Sequence, residues 1–456
     1  MAETTVSTMP DALDADLVEA TLDAARAGDA ARVEALLDPL HAADVADLLE
    51  QVSADDREAL LAMGLAVIDG DVLSEISDAI REDVLDSLPD DVVAEALREL
   101  DSDDLVDIVE DLEAADQGRI LGTLDAGDRL AVEQALAWPE QSAGRLMQRE
   151  LVVAPEHWTV GEAIDYLRAA DRLPDQFYHV ILVDPRMVPL GYVTLGRVLS
   201  AARDVRLRDI TEDSFRTIAA TDDEADVAYS FNQYHLISCP VVDGAGRLVG
   251  VITIDDAMTV LDEEHEEDML RLAGVGEESS ISDGIWATVK SRLPWLAISL
   301  VTANIGALVI SQFEAVIAKI VVLAALMPVV AAMGGNAATQ SLTVAVRALA
   351  TRDLTGANAF RVVRRELAVG VINGSAFAAV MGSAAWVLFG APMVGAVIGL
   401  ALVITLIVAA LAGVLVPLIL NRLGFDPALS SGTFVITMTD VIGFFAFLGL
   451  ATVMLT

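Results

Sequence analysis

The chain of 456 residues has one cysteine, Cys239, and only two lysines, Lys290 and Lys319, among 28 cationic side chains set against 70 carboxylates. A lone cysteine excludes a disulfide framework or a thiolate metal site within one chain; Cys239 reads as a small buried apolar residue. The scarcity of cations leaves a formal net charge of -42. Such a surface repels nucleic acid and anionic lipid and attracts cations. The N-terminus also lacks a basic stretch followed by an apolar core, so no cleaved signal is expected and other segments must direct insertion.

The acid excess is uneven. Residues 1–283 hold 19 Lys+Arg against 65 Asp+Glu, whereas residues 284–456 hold nine against five. Codon bias or salt adaptation in an Ala-, Val-, Asp- and Arg-rich chain explains part of it, so charge alone names no ligand.

The last third is instead nearly free of charge. Leu293 to Phe313, Ile320 to Val346, Leu367 to Asn421 and Pro427 to Thr456 contain one ionisable side chain, Asp440. A crossing needs about 20 apolar residues, so the first, second and last runs give one span each and the third gives two. Gly390-Ala391-Pro392 supplies the turn, because Pro392 cannot donate to a continuing helix. Lys290 and Arg292 precede the first span, Arg347, Arg352, Arg361, Arg364 and Arg365 lie between the second and third, and Arg422 lies between the fourth and fifth. All fall on one side of a five-span path, while the loops around Glu314 and Ala391 are nearly free of cations. That asymmetry places the N-terminal region in the cytoplasm and the C-terminus outside. An ionised side chain at bilayer depth costs about 2.5–3.5 kcal/mol and usually faces a bundle interior or a watery path. Asp440 is therefore the leading candidate for function, with hydrogen bonding to Thr437, Thr439 or Asn336 as the plain structural alternative.

Residues 15–140 carry apolar positions at helical spacing, as in Val45, Leu48, Leu49 and Val52, or Leu105, Ile108, Val109 and Leu112. Ser53, Pro89-Asp90-Asp91 and Asp101-Ser102-Asp103-Asp104 introduce helices, and acidic first turns suit the helix dipole. An all-α helical bundle or stack is expected. Residues 143–262 repeat internally: His179–Asp184 then Leu190–Thr194 parallels Cys239–Asp243 then Leu248–Thr253, with helices before them at Val160–Ala169 and Asp223–Gln233. This pattern resembles a tandem pair of cystathionine-β-synthase (CBS) modules, an α/β unit.

After the pair come Leu261-Asp-Glu-Glu-His-Glu-Glu-Asp268, then Met327-Pro328 and Gly334-Gly335-Asn336-Ala337-Ala338-Thr339-Gln340-Ser341 in the second span, and Thr437-Met-Thr-Asp440-Val-Ile-Gly443 in the last. In this order the chain resembles the MgtE family of magnesium channels. The resemblance implies an acidic helical N-domain (1–140), CBS modules at 141–204 and 205–262, a connecting plug helix (263–285) and a transmembrane pore domain of five spans (286–456). It implies a multi-pass homodimer in the inner (plasma) membrane among its lipids, with Asp440, Asn336, Gly335 and Gly443 at the pore. Ala338 stands where the family commonly has Gly, and Gly allows closer helix approach. The resemblance also implies regulatory Mg2+ between cytoplasmic domains at Asp71, Asp103, Asp256, Glu264, Glu267 and Asp268, with Asp262 adjacent; His235 and Thr259 stand where acids can occur.

Magnesium keeps most of its waters and accepts one or two carboxylates. Two copies of Asp440 across a dimer axis would meet that need, with backbone carbonyls near Pro328 orienting the waters. CBS modules often hold ribose through a Thr and an Asp three residues on. Thr253 and Asp256 keep that pair, but Arg197 replaces the Asp after Thr194, so ATP is expected to bind weakly or not at all. The expectation is a magnesium-selective channel closed by cytosolic magnesium; the alternative is a proton- or sodium-coupled divalent cation transporter. An enzyme is not expected, since an intramembrane aspartyl protease needs two carboxylates sharing a proton.

Overall fold

Asp14, Asp29, Asp69 and Asp125 each accept a backbone N–H at the start of a helix, so a chain rich in Asp breaks its first part into short capped pieces. The computed structural model describes residues 13–455 apart from 64–66, 111, 113, 171–172, 175 and 276–284. The chain divides into two units, 1–263 and 264–456.

In the first unit, ten helices among the described residues run from Ala15–Arg26 to Ala126–Ala135. The helical spacing seen in the sequence becomes one core that includes Val45, Leu48, Leu49, Leu105, Ile108 and Val109. Ser53 bonds Asp56 as a cap. Two arginines are buried in this unit and close helix ends from within. Arg57 donates to the Leu49 carbonyl and Arg81 to that of Ile76, groups that have no partner inside their own helices.

The internal repeat folds as two three-stranded sheets with equal topology. Val153–Pro155 pairs parallel with His179–Val183, which pairs antiparallel with Pro189–Thr194. Ile218–Ala219, Ser238–Val242 and Leu248–Thr253 repeat the order. Even the register shift recurs, at Leu182/Val183 and Val241/Val242. Val160–Ala169 opens on a Thr159–Glu162 capping box, and Asp223 caps Glu224–Tyr234. The short helix Ala143–Leu146 belongs to the second half's core, where Ala143 and Met147 meet Ile218, Phe231 and Cys239.

The helix Ile254–Ala273 runs on from the last strand without a break, and its residues from 264 belong to the second unit. The residues of the expected plug helix from 276 to 284 lie outside the described residues. Among the described residues five helices are long and apolar enough to cross a membrane. They are span 1 (Ile285–Ser311), span 2 (Val322–Ala350), span 3 (Ala359–Phe389), span 4 (Pro392–Arg422) and span 5 (Pro427–Leu455). Gly390 takes φ 63° as the cap of span 3 and Pro392 occupies the first turn of span 4. That turn folds as its residues require. The expected loop around Glu314 is instead a six-residue helix, Glu314–Lys319, too short to show a period.

Span 4 is the most buried of the five. Small residues let span 3 approach it: a Cβ on Gly395 would sit 2.3 Å from the Gly382 carbonyl oxygen, and one on Gly374 2.9 Å from Val403 Cα. Between hydrocarbon-solvated helices such close backbone packing replaces the hydrophobic effect.

Candidate functional site

Span 2 carries the Gly335-Asn336 motif and span 5 carries Asp440, and packing sets the two side by side. A Cβ on Gly334 would lie 3.7 Å from Thr439 Cβ and 2.7 Å from Thr405 Cγ2 of span 4. A Cβ on Gly335 would meet no neighbouring element within 4 Å among the described residues, and Asn336 is exposed on the protomer. Asp440 is half-buried. The nearby hydroxyls are committed elsewhere: Thr437 donates to Thr433 O at 2.6 Å and Thr439 to Ile436 O at 2.8 Å. Each hydroxyl has one proton to give, so neither threonine donates to Asp440.

Not every residue of the two motifs points the same way. Gly443 is buried, where a Cβ would lie 3.3 Å from Thr405 Oγ1 and 3.4 Å from Val330 Cγ1. Ala338 is 0% exposed, packed with Ala409, Ala412 and Val435 of its own protomer. Its methyl group therefore meets spans 4 and 5 rather than a second copy. Span 2 is unbroken through the motif; Pro328 deprives the Ala324 carbonyl of its helical donor, while the Gly335 carbonyl accepts from Thr339 at 3.0 Å.

In the first unit, Asp103 and Asp104 from the helix Ser102–Glu110 lie close to Asp256, in the first turn after the last strand. Asp103 is 9% exposed. Burial, and then the Asp256 charge, push its carboxyl well above the usual range. The same two causes push Asp104 up to about 7, and burial raises Asp256 to about 6 although Thr253 donates to it at 2.6 Å. Carboxylates without a cation between them thus hold protons far above pH 4. Asp104 was not among the sequence candidates; only its place beside Asp103 signalled it.

The second unit brings Glu267 and Asp268 to Asp426, ahead of span 5. Arg271 pairs with Glu267 and sits 2.7 Å from Asp426 Oδ2. Leu272 packs against Leu342, Val346 and Ala428, so the end of the helix Ile254–Ala273 docks on spans 2 and 5. Asp268 is raised by burial and then by the Asp426 charge. Asp426 and Arg271 were also missed as site residues, because the sequence shows neither contact. Asp71 and Asp262 are exposed, Thr259 bonds its own helix at Asp255 O, and His235 closes a helix at φ 53°. Among the described residues, no group of three His, Cys, Asp or Glu is arranged to hold a metal ion by itself.

Arg197 is held within the first CBS half by Glu212 at 2.9 Å and by the Thr211 carbonyl at 2.9 Å. Thr194 caps the helix Leu195–Ser200. At the facing edge, His179 bonds Ser238, and burial lowers the imidazole to about 4.

Family models match in three places: the MgtE intracellular N domain over residues 40–141, the CBS domain over 143–204 and 207–263, and MgtE, divalent cation transporter, over 327–450. The magnesium transporter MgtE of Thermus thermophilus is 34% identical over 72% of this chain and 73% of its own. That of Enterococcus faecalis is 32% identical over 70% of this chain and 71% of its own. A solved structure, "Crystal structure of the cytosolic domain of the Mg2+ channel MgtE in complex with ATP", is 28% identical, covering 53% of this chain and 99% of its own, with a TM-score of 0.49.

Proposed function

The chain belongs to the MgtE family, and from that premise we propose that it is a magnesium-selective channel, working as a homodimer in the cell membrane and closed by cytosolic magnesium. One observation carries the reading: Asp440, half-buried between polar small residues, whose neighbouring threonines bond their own helix instead of it. Two such carboxylates across a dimer axis give a hydrated divalent ion two negative charges, and waters retained by the ion meet Asn336. The N-terminal unit lies in the cytoplasm and the C-terminus outside.

Gating follows from charge. Without magnesium, the carboxylates around Asp103, Asp104 and Asp256 repel one another, as do Asp268 and Asp426. An ion bridging such groups favours the arrangement in which they are close, and Asp71, Asp262, Glu264 and Glu267 are the further carboxylates assigned to this sensing. Magnesium therefore binds the closed state better and shifts the population toward it. ATP is at most a weak ligand: Thr253 and Asp256 bond each other in one half, and Arg197 is occupied by Glu212 in the other.

The test is magnesium flux into proteoliposomes carrying an internal fluorescent indicator. Wild-type protein is expected to pass magnesium down its gradient with no proton or sodium gradient, and Asp440→Ala to abolish the flux while eluting as the same dimer. Full uptake by Asp440→Ala refutes the pore role. Flux that appears only with a proton or sodium gradient favours a coupled transporter.

A further inference from the structure

A cavity of about 220 Å³ opens between spans 2, 3 and 4 at the basic end of the bundle, and none of Asp440, Asn336, Gly335 and Gly443 lines it. Arg365, Glu366 and Asn373 of span 3 line it together with Gln340 and Ser341 of span 2. The Ser341 hydroxyl, 9% exposed, donates to Glu366 Oε2 at 3.1 Å. Among the described residues no cation pairs with Glu366 and no carboxylate pairs with Arg365. One positive and one negative side chain thus share a cavity without neutralising each other.

Depth identifies what they suit. Span 3 has 31 residues, about 46 Å of helix at 1.5 Å per residue, against a hydrocarbon core of about 30 Å. Arg365 and Glu366 are its seventh and eighth residues, at the edge of the hydrocarbon core, where long charged side chains reach the headgroups. Deeper on the same helix Val369 is 38% exposed and Ile372 66% exposed, an apolar surface of the kind that acyl chains cover. Basic pockets between spans are a recurrent form of headgroup site, but a carboxylate in the same pocket selects a headgroup that also carries a cation.

We propose that this cavity binds a zwitterionic phospholipid with a primary ammonium, the chemistry of phosphatidylethanolamine. The phosphate pairs with Arg365 and the ammonium donates to Glu366, both charge-assisted bonds, and Gln340 and Asn373 meet the ester oxygens. A trimethylated headgroup has no N–H to donate, and a headgroup with no cation leaves Glu366 unpaired.

The test is native mass spectrometry of the full-length protein after exchange into equal parts phosphatidylethanolamine, phosphatidylcholine and phosphatidylglycerol. Wild-type protein is expected to retain the ethanolamine lipid over the choline lipid by roughly tenfold, the worth of one charge-assisted bond. Glu366→Gln is expected to bring the two to near equality, and Arg365→Ala to lower retention of all three. Val344→Trp, which narrows the cavity mouth without touching either charge, is expected to lose the ethanolamine lipid and covers the case in which Glu366→Gln misfolds. Equal retention of the three lipids by wild type, a preference for the glycerol lipid, or an ethanolamine preference that survives Glu366→Gln and Val344→Trp overturns the assignment. So does disulfide formation between copies of Val344→Cys, which would place a second protomer over the mouth.

Discussion

Thr405 is 1% exposed in span 4 and its hydroxyl has no hydrogen-bond partner among the described residues. It stands where three spans meet, touching the positions of Gly334 and Gly443, directly behind the face that presents Asn336 and Asp440. An unpartnered hydroxyl away from water is destabilising, and valine has nearly its shape. Thr405→Val is therefore expected to leave the thermal midpoint of the detergent-solubilised protein unchanged or raise it. Gly334→Ala is expected to lower stability by about 1–3 kcal/mol, the usual range for overpacking, since its methyl group meets Thr405 Cγ2 at 2.7 Å. Adding Thr405→Ser, which removes that carbon, should recover part of the loss. Strictly additive effects in the two variants would show that the glycine is not there to fit Thr405.

At the scale of an element, the end of the helix Ile254–Ala273 is fixed by one residue with two acidic partners. Arg271 joins Glu267 and Asp426 while Leu272 enters a small apolar contact with spans 2 and 5. Arg271→Ala takes the guanidinium away from Glu267 and Asp426 and its charge away from Asp268. Hydrogen exchange of residues 264–273 in the full-length variant should speed up by roughly tenfold in chelator, the scale of one charge-assisted pair, and slow again when magnesium is added. Unchanged exchange in both conditions would leave the contact without a role in docking. The sequence made the turn at Gly390-Ala391-Pro392, the five spans and the two CBS-like halves legible, because each depends on local residues or on a period. It could not show Arg271 against Asp426, or Asp104 against Asp256, because both are long-range contacts. With 65 acids in the first 283 residues, composition hides which of them meet. Asp440 stood out as a candidate for the opposite reason: nothing else in its run is charged.

For the whole molecule the acid excess becomes a dependence on pH and on divalent ions. Asp104 is held at about 7 and Asp256 at about 6, against an ordinary 3.8. The unfolded chain loses these protons near pH 4, whereas the folded chain keeps them, so the folded state binds more protons in between. Their contribution to stability is full below about pH 4 and is lost as pH rises through about 6 and 7. His179 acts in the opposite sense: its lowered value, about 4 against 6.5, removes stability as pH falls below about 6.5. A bridging magnesium ion replaces the protons on the aspartates and should cancel their part of the slope. We expect the thermal midpoint of the full-length protein in chelator to be lower at pH 7.5 than at pH 5.5, and millimolar magnesium to raise it more at pH 7.5. Asp104→Asn removes the carboxyl held up at about 7, so it should flatten the chelator profile and shrink the magnesium effect, leaving the His179 contribution in place. A variant whose pH profile and magnesium response both match wild type would separate the acidic cluster from ion sensing while leaving the proposed role of Asp440 in conduction untouched.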